Sequence, residues 1–200
     1  MELTRPRIAP LGPADRDERA RQLIDELAPQ GREMNIFLTL VRHPGLFARF
    51  RPFLGKLLAG RLAARDREIL ILRTAWLCGS PYEWGQHDSI GRDAGLTEDE
   101  LARIPHGPDA DFWSPADRAL LRATDELHST FTISDATWAE LAQTLDEHQL
   151  IEIPMVVGNY HMVAFFLNAL RIEPEPGLPS FPKTARVPTG LVGGSPCSHP

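Results

Sequence analysis

Sulfur is scarce in this chain. Its 200 residues include two cysteines, Cys78 and Cys197. Two distant thiols build no disulfide framework, and the pattern suits a reducing cytoplasm. Positive charge is also short. The formal net charge is −6, and no basic stripe runs along the chain. Phosphate binding needs such a stripe, so no nucleic-acid partner is expected. No long apolar run is free of polar groups either. The most apolar stretch, residues 150–170, contains Glu152, Pro154, Asn159, His161 and Asn168. Such groups are expensive at mid-bilayer, so a buried helix is expected there and no membrane partner. The opening residues, MELTRPRIAP, hold no apolar leader core. Alternating strands bounded by hairpin turns are missing as well, so the expected class is all-α.

What is present is an ordinary globular composition, 42% apolar and 24% charged, enough for one domain with a core. Residues 14–28 read as a charged amphipathic helix. Asn35 can cap a short helix, IFLTLVR, which His43-Pro44 ends. From 44 to 59 apolar residues recur at spacings of three and four. Residues 64–78, ARDREILILRTAWLC, are apolar on nearly every side after Glu68, which predicts a central buried helix ended by Gly79. Thr97-Glu98-Asp99-Glu100 reads as a capping box, and Ser114-Pro115 and Ser134-Asp135 open further helices. A last helix is expected over 147–170, where Pro154 marks either a kink or the true first turn. Proline and glycine dominate after 173. The expected organisation is one helical domain over 1–172, with its motif region at 58–170. An extended Pro/Gly-rich arm or tail follows over 173–200.

One segment concentrates chemistry: CGSPYEWGQH, from Cys78 to His87. Ser80-Pro81-Tyr82-Glu83 reads as a capping box with proline at the first helical position, which needs no catalysis to explain it. His87 lies four residues after Glu83, on the same helix face. Glu68 opens the preceding apolar helix. It is either a favourable first-turn charge or a desolvated carboxylate that functions as an acid or base. Two helices joined by a Cys-Gly-Ser turn pack back on each other. Glu68, Glu83 and His87 can then meet as a small polar cluster between them, the layout of an acid/base site.

These residues resemble the carboxymuconolactone decarboxylase and alkylhydroperoxidase D superfamily. The resemblance rests on RDREILILRTAWLCGSPYEWGQH and the DSIGRDAGLTEDEL that follows, with weaker likeness in SPADRALLRATDELH and VVGNYHMVAFFLNAL. It implies a compact multi-helix fold and self-association as a homotrimer or hexamer. The peroxidase branch carries Glu, then Cys-x-x-Cys, then His four residues on. Glu68 and His87 match the outer positions, while Ser80 and Glu83 stand where the two redox sulfurs would be. Cys78 falls two residues early and reads as a small buried hydrophobe. A peroxide-reducing thiol also needs a partner to return it from sulfenic acid.

The decarboxylase-like branch, without a cysteine pair, is the closer match. It implies cofactor-free acid/base chemistry on a small-molecule substrate, a lactone or keto acid. On this resemblance His87 transfers the proton, Glu83 orients or tunes His87, and Glu68 is a second acid/base group. Ser80 and Tyr82 donate to a lactone oxygen, and Trp84 and His161 complete the expected substrate-binding set. His161 has a second reading as a satisfied core residue, and Asn159 and Asn168 share that ambiguity. A cation for a substrate carboxylate is not evident among Arg73, Arg92, Arg49 and Arg51. No metal is assigned, although Glu68, Glu83 and His87 are a set that can hold iron or manganese. Two other readings stay open: peroxidase-type antioxidant activity by descent, and a non-catalytic helical ligand-binding or assembly protein.

Overall fold

The computed structural model describes residues 5–26 and 33–182, and among them the only regular elements are helices. A 3-10 turn at Pro13–Asp15 comes first. Asp17 then caps α1 (Glu18–Asp25) by accepting the Ala20 N–H at 2.7 Å. The first α-helix therefore begins four residues later than the sequence suggests, because Asp17 supplies the stronger cap. Residues 27 and 28, its expected end, lie outside the described residues. Asn35 is the first residue of α2 (Asn35–Leu40) rather than its cap. Then follow α3 (Pro44–Leu58), α4 (Ala64–Leu77), α5 (Pro81–Asp93) and α6 (Glu98–Arg103). α7 (Pro115–Thr130), α8 (Asp135–Leu141) and α9 (Glu147–Leu170) complete the order.

α4 is the axis of the fold. Every residue from Arg67 to Trp76 is buried, and the helix packs against α5, α7 and α9. Ile69, Leu70, Ile71 and Leu72 are fully enclosed. Enclosing each side chain contributes about 1.5–3 kcal/mol, so a helix apolar on all sides gains most where three neighbours meet. Its polar residues are clamped: Arg73 donates to both oxygens of Asp125, at 2.6 and 2.9 Å, and to the carbonyls of Ile104 and Pro105.

Gly79 stops α4. It adopts φ +56°, which side chains with a Cβ resist. Its N–H donates to the Trp76 carbonyl and the Ser80 N–H to the Ala75 carbonyl, at 3.0 and 2.9 Å. This paired closure satisfies the last carbonyls of α4 and sends the chain straight into α5.

α9 begins at Glu147, with Asp146 and Gln149 forming a reciprocal cap. Pro154 therefore lies inside the helix and does not mark its first turn. α9 is long and apolar enough to cross a membrane, but half of that window is buried inside the fold. Ile153, Val156, Val157 and Ala164 are the enclosed face.

Of the expected arm, residues 173–182 are described and 183–200 are not. The described part has no helix and is pinned to the domain. The Glu175 carboxylate accepts from the Tyr82 hydroxyl at 2.7 Å, the Gln86 amide at 2.6 Å and the Asn35 backbone at 2.6 Å. Phe181 packs its ring against both Trp76 and Trp84.

Candidate functional site

α4 and α5 bring Glu68 and His87 into contact. His87 Nδ1 lies 2.6 Å from Glu68 Oε2, and Glu68 is fully buried. Arg67 Nε donates to the other carboxylate oxygen at 3.3 Å. A carboxylate oxygen here accepts, so His87 donates through Nδ1 and turns Nε2 away from Glu68. Tyr160 of α9 packs edge-on against the imidazole, with ring centroids 4.9 Å apart.

Glu83 sits beside this pair without sharing it. It is 2% exposed, and neither carboxyl oxygen has a hydrogen-bond partner among the described residues. Burial holds its pKa well above the usual carboxyl range. The physical reason is an asymmetry of partners. Desolvating an ion costs several kcal/mol unless partners offset it. Glu68 has Arg67 and His87 to hold its charge; Glu83 has neither, so Glu83 keeps its proton. Burial, then the nearby Glu68, push the Tyr160 phenol well above its ordinary value.

Glu83, His87 and Tyr160 line a cavity of about 210 Å³. The rest of its wall is largely apolar, from Met34 and Phe37 across to Val163 and Leu167. Among the described residues, no arginine or lysine lines it. A second, wholly apolar hollow of about 110 Å³ adjoins it through Ile36 and Val163 and carries no titratable group.

Several expected arrangements differ. The Ser80–Glu83 capping box does not form, and no side chain caps α5. The Ser80 N–H, which Glu83 would need, is already given to Ala75. Its hydroxyl is buried without a partner among the described residues. The expected Glu83–His87 contact is replaced by Glu68–His87. Tyr82 lines the cavity, but its hydroxyl is committed to Glu175 and accepts the Ile36 N–H. Trp84 is fully buried against Trp76 and Phe181 and lines neither cavity.

His161 likewise lines neither cavity. It faces His128 instead, with Nε2 2.9 Å from His128 Nδ1. Asn168 donates to the Cys78 carbonyl, and Asn159 is buried with both amide atoms unpaired among the described residues. The cationic candidates are occupied elsewhere: Arg73 by Asp125, Arg92 by Asp88 and Glu98, Arg51 by the Glu26 carbonyl. Arg49 is exposed.

Tyr160, Arg67 and His128 enter the picture only through the fold. Tyr160 stands next to His161 in the stretch NYHM, yet it is the residue that reaches His87. Positions 160 and 161 differ by about 100° around a helix, and that rotation decides which one meets the cavity.

Residues 44–126 match the model of the Carboxymuconolactone decarboxylase family. No curated protein sequence matches the chain. Among solved structures, the debrominase Bmp8 in its apo form has a TM-score of 0.70 at 17% identity, covering 84% of this chain and 92% of that one. A cysteine-to-alanine variant of that debrominase, in complex with 2,3,4-tribromopyrrole, has a TM-score of 0.68 at 17% identity, over 84% and 91%. An alkylhydroperoxidase AhpD core protein from Ralstonia eutropha JMP134, peroxidase-related and uncharacterized, gives 0.70 at 20% identity over 84% and 93%. At such identities the likeness to these structures shows the fold, not the reaction.

Proposed function

We propose, for a chain that over residues 44–126 belongs to the carboxymuconolactone decarboxylase and alkylhydroperoxidase D-like superfamily, that the hollow beside His87 carries out cofactor-free proton transfer. The substrate is a small, largely apolar lactone or keto acid, and decarboxylation is the reaction the hollow suits best. One observation carries this reading: a buried Glu83, without a hydrogen-bond partner among the described residues, stands in the same cavity wall as a carboxylate-oriented histidine.

The roles follow from the chemistry of each group. Glu68 positions the imidazole through Nδ1, which leaves Nε2 to take or deliver a proton. Neutral Glu83 donates a hydrogen bond to the substrate carbonyl oxygen, where charge accumulates. The bond to the departing carboxylate breaks, its electron pair enters the conjugated carbonyl, and His87 returns a proton to carbon. An apolar wall without a cation leaves the substrate carboxylate poorly solvated, which favours its loss as carbon dioxide. An ionised Glu83 would repel that substrate; a protonated one does not.

The debrominase's small ring ligand has a size that such a cavity can take. Removing bromine reductively needs two electrons, and this chain has Ser80 and Glu83 where the superfamily's sulfur pair would stand. Proton transfer is therefore the reading retained. The test is a panel of small lactone acids and β-keto acids, followed for carbon dioxide release and for deuterium uptake from solvent. Wild type should turn over at least one compound, with Glu83→Gln and His87→Gln slower by about 10²–10⁴-fold. Equal turnover by all three proteins would remove these residues from the mechanism.

A further inference from the structure

We propose that Cys78, His128 and His161 form a zinc-binding site, distinct from the Glu83–His87 cavity, where the end of α4 meets α7 and α9. One ligand atom from each of the three side chains lies within 4.8 Å of the others. A tetrahedral zinc ion with ordinary Zn–S and Zn–N bonds needs its ligand atoms about 3.3–3.6 Å apart. The observed triangle reaches that with small side-chain rotations. No sequence motif announces it, because the three ligands come from three separate elements.

The surroundings are those of a ligand set rather than of three chance neighbours. His161 Nδ1 donates to the Val157 carbonyl at 2.9 Å. That bond fixes the tautomer and aims the Nε2 lone pair at His128 and Cys78, the way carbonyls orient metal-bound imidazoles elsewhere. The Phe165 ring packs against His161 edge-on. The Cys78 backbone is held at both ends: its N–H donates to the Thr74 carbonyl, and its carbonyl accepts from Asn168, each at 2.9 Å. All three side chains are half-buried, so an ion can enter and a fourth position stays open to water.

A reactive thiolate is the competing use of a cysteine between two imidazoles. The electrostatics oppose it in the metal-free protein. Burial, the largest cause, pushes the Cys78 thiol up to about 12. Burial and His161 lower His128, with Asp125 and Arg73 acting in opposite directions on it. In the resting cluster the thiol therefore keeps its proton and His128 is held toward its neutral form. Zinc binding replaces the S–H bond with a Zn–S bond and releases that proton to solvent. The His128 proton moves from Nδ1 to Nε2, freeing Nδ1 for the ion.

The test uses chelator-stripped full-length protein titrated with Co²⁺ and then Zn²⁺. One equivalent of Co²⁺ should give a sulfur-to-cobalt charge-transfer band and the intense visible bands of tetrahedral coordination, and Zn²⁺ should abolish both. Cys197→Ser, which leaves Cys78 as the only thiol, should keep the full spectrum; Cys78→Ser should lose the charge-transfer band. His128→Gln and His161→Gln should each weaken zinc binding by more than about tenfold. Zinc should raise the thermal midpoint of wild type and not of Cys78→Ser. The site is refuted if no tetrahedral cobalt spectrum develops, or if the band survives Cys78→Ser and disappears in Cys197→Ser.

Discussion

Replacing Glu83 by glutamine should make the protein more stable as the pH rises. Glu83 is 2% exposed and without a hydrogen-bond partner, and burial raises its pKa above the ordinary value of 4.5. In the unfolded chain the carboxyl titrates near that ordinary value. Below it, both states hold the proton and Glu83 carries no penalty. Above it, the unfolded chain loses the proton while the folded protein keeps it. Stability then falls by about 1.4 kcal/mol per pH unit, until the pH passes the raised folded value. A glutamine has no proton to lose, so its curve lacks this slope. For a chain of this size each kcal/mol moves the thermal midpoint by about 2–4 °C. The midpoints of Glu83→Gln and wild type should therefore separate by roughly 3–5 °C for each pH unit above about 4.5. The assay is thermal unfolding of both proteins in steps from pH 4.5 to 7.5, read as a difference so that all other titrating groups cancel. Parallel curves across that range would mean that Glu83 is ionised in the folded protein, and the neutral-acid role would fall with it.

Two further perturbations probe the supports of the cavity. Glu68→Gln keeps the shape of the side chain but removes the charge shared by Arg67 and His87. Urea unfolding should show a loss of about 3 kcal/mol, the low end for breaking a buried pair because the amide still accepts; an unchanged midpoint would contradict the pairing. Gly85→Ala adds a methyl to α5 that would lie 2.8 Å from the Pro179 carbonyl and 3.0 Å from Leu178 Cβ. Alanine favours the helix itself by about 1 kcal/mol, so α5 should hold while residues 173–182 lose hydrogen-exchange protection. Equal protection of that segment in both proteins would show that it is not seated on α5.

The helices were legible where their signals are local. Thr97 and Glu100 form both halves of the box that their spacing predicts, and Ser114 and Ser134 accept the N–H groups of Asp117 and Thr137. The burial of α4 followed from an apolar run too continuous to have a solvent side. Ser80 shows the limit of such reading. The same four residues can cap a helix or continue a turn, and the neighbouring Gly79 decided for the turn by committing the Ser80 N–H to Ala75. Spacing alone does not contain that competition.

The pairing of His87 with Glu68 rather than Glu83 has the same origin at longer range. Glu83 and His87 are four residues apart on one helix, which makes them able to pair but gives at most about 0.5 kcal/mol for doing so. Glu68 reaches the same imidazole from α4 with Arg67 already at its other oxygen. A carboxylate that brings its own cation keeps its charge in a dry interior far more cheaply than one that does not. The histidine therefore goes to Glu68, and Glu83 is left in the cavity wall, where burial favours its protonated form. An acid that cannot afford ionisation is the one able to donate. The difference between the surroundings of the two acids thus includes a single buried arginine, Arg67, which no motif marks.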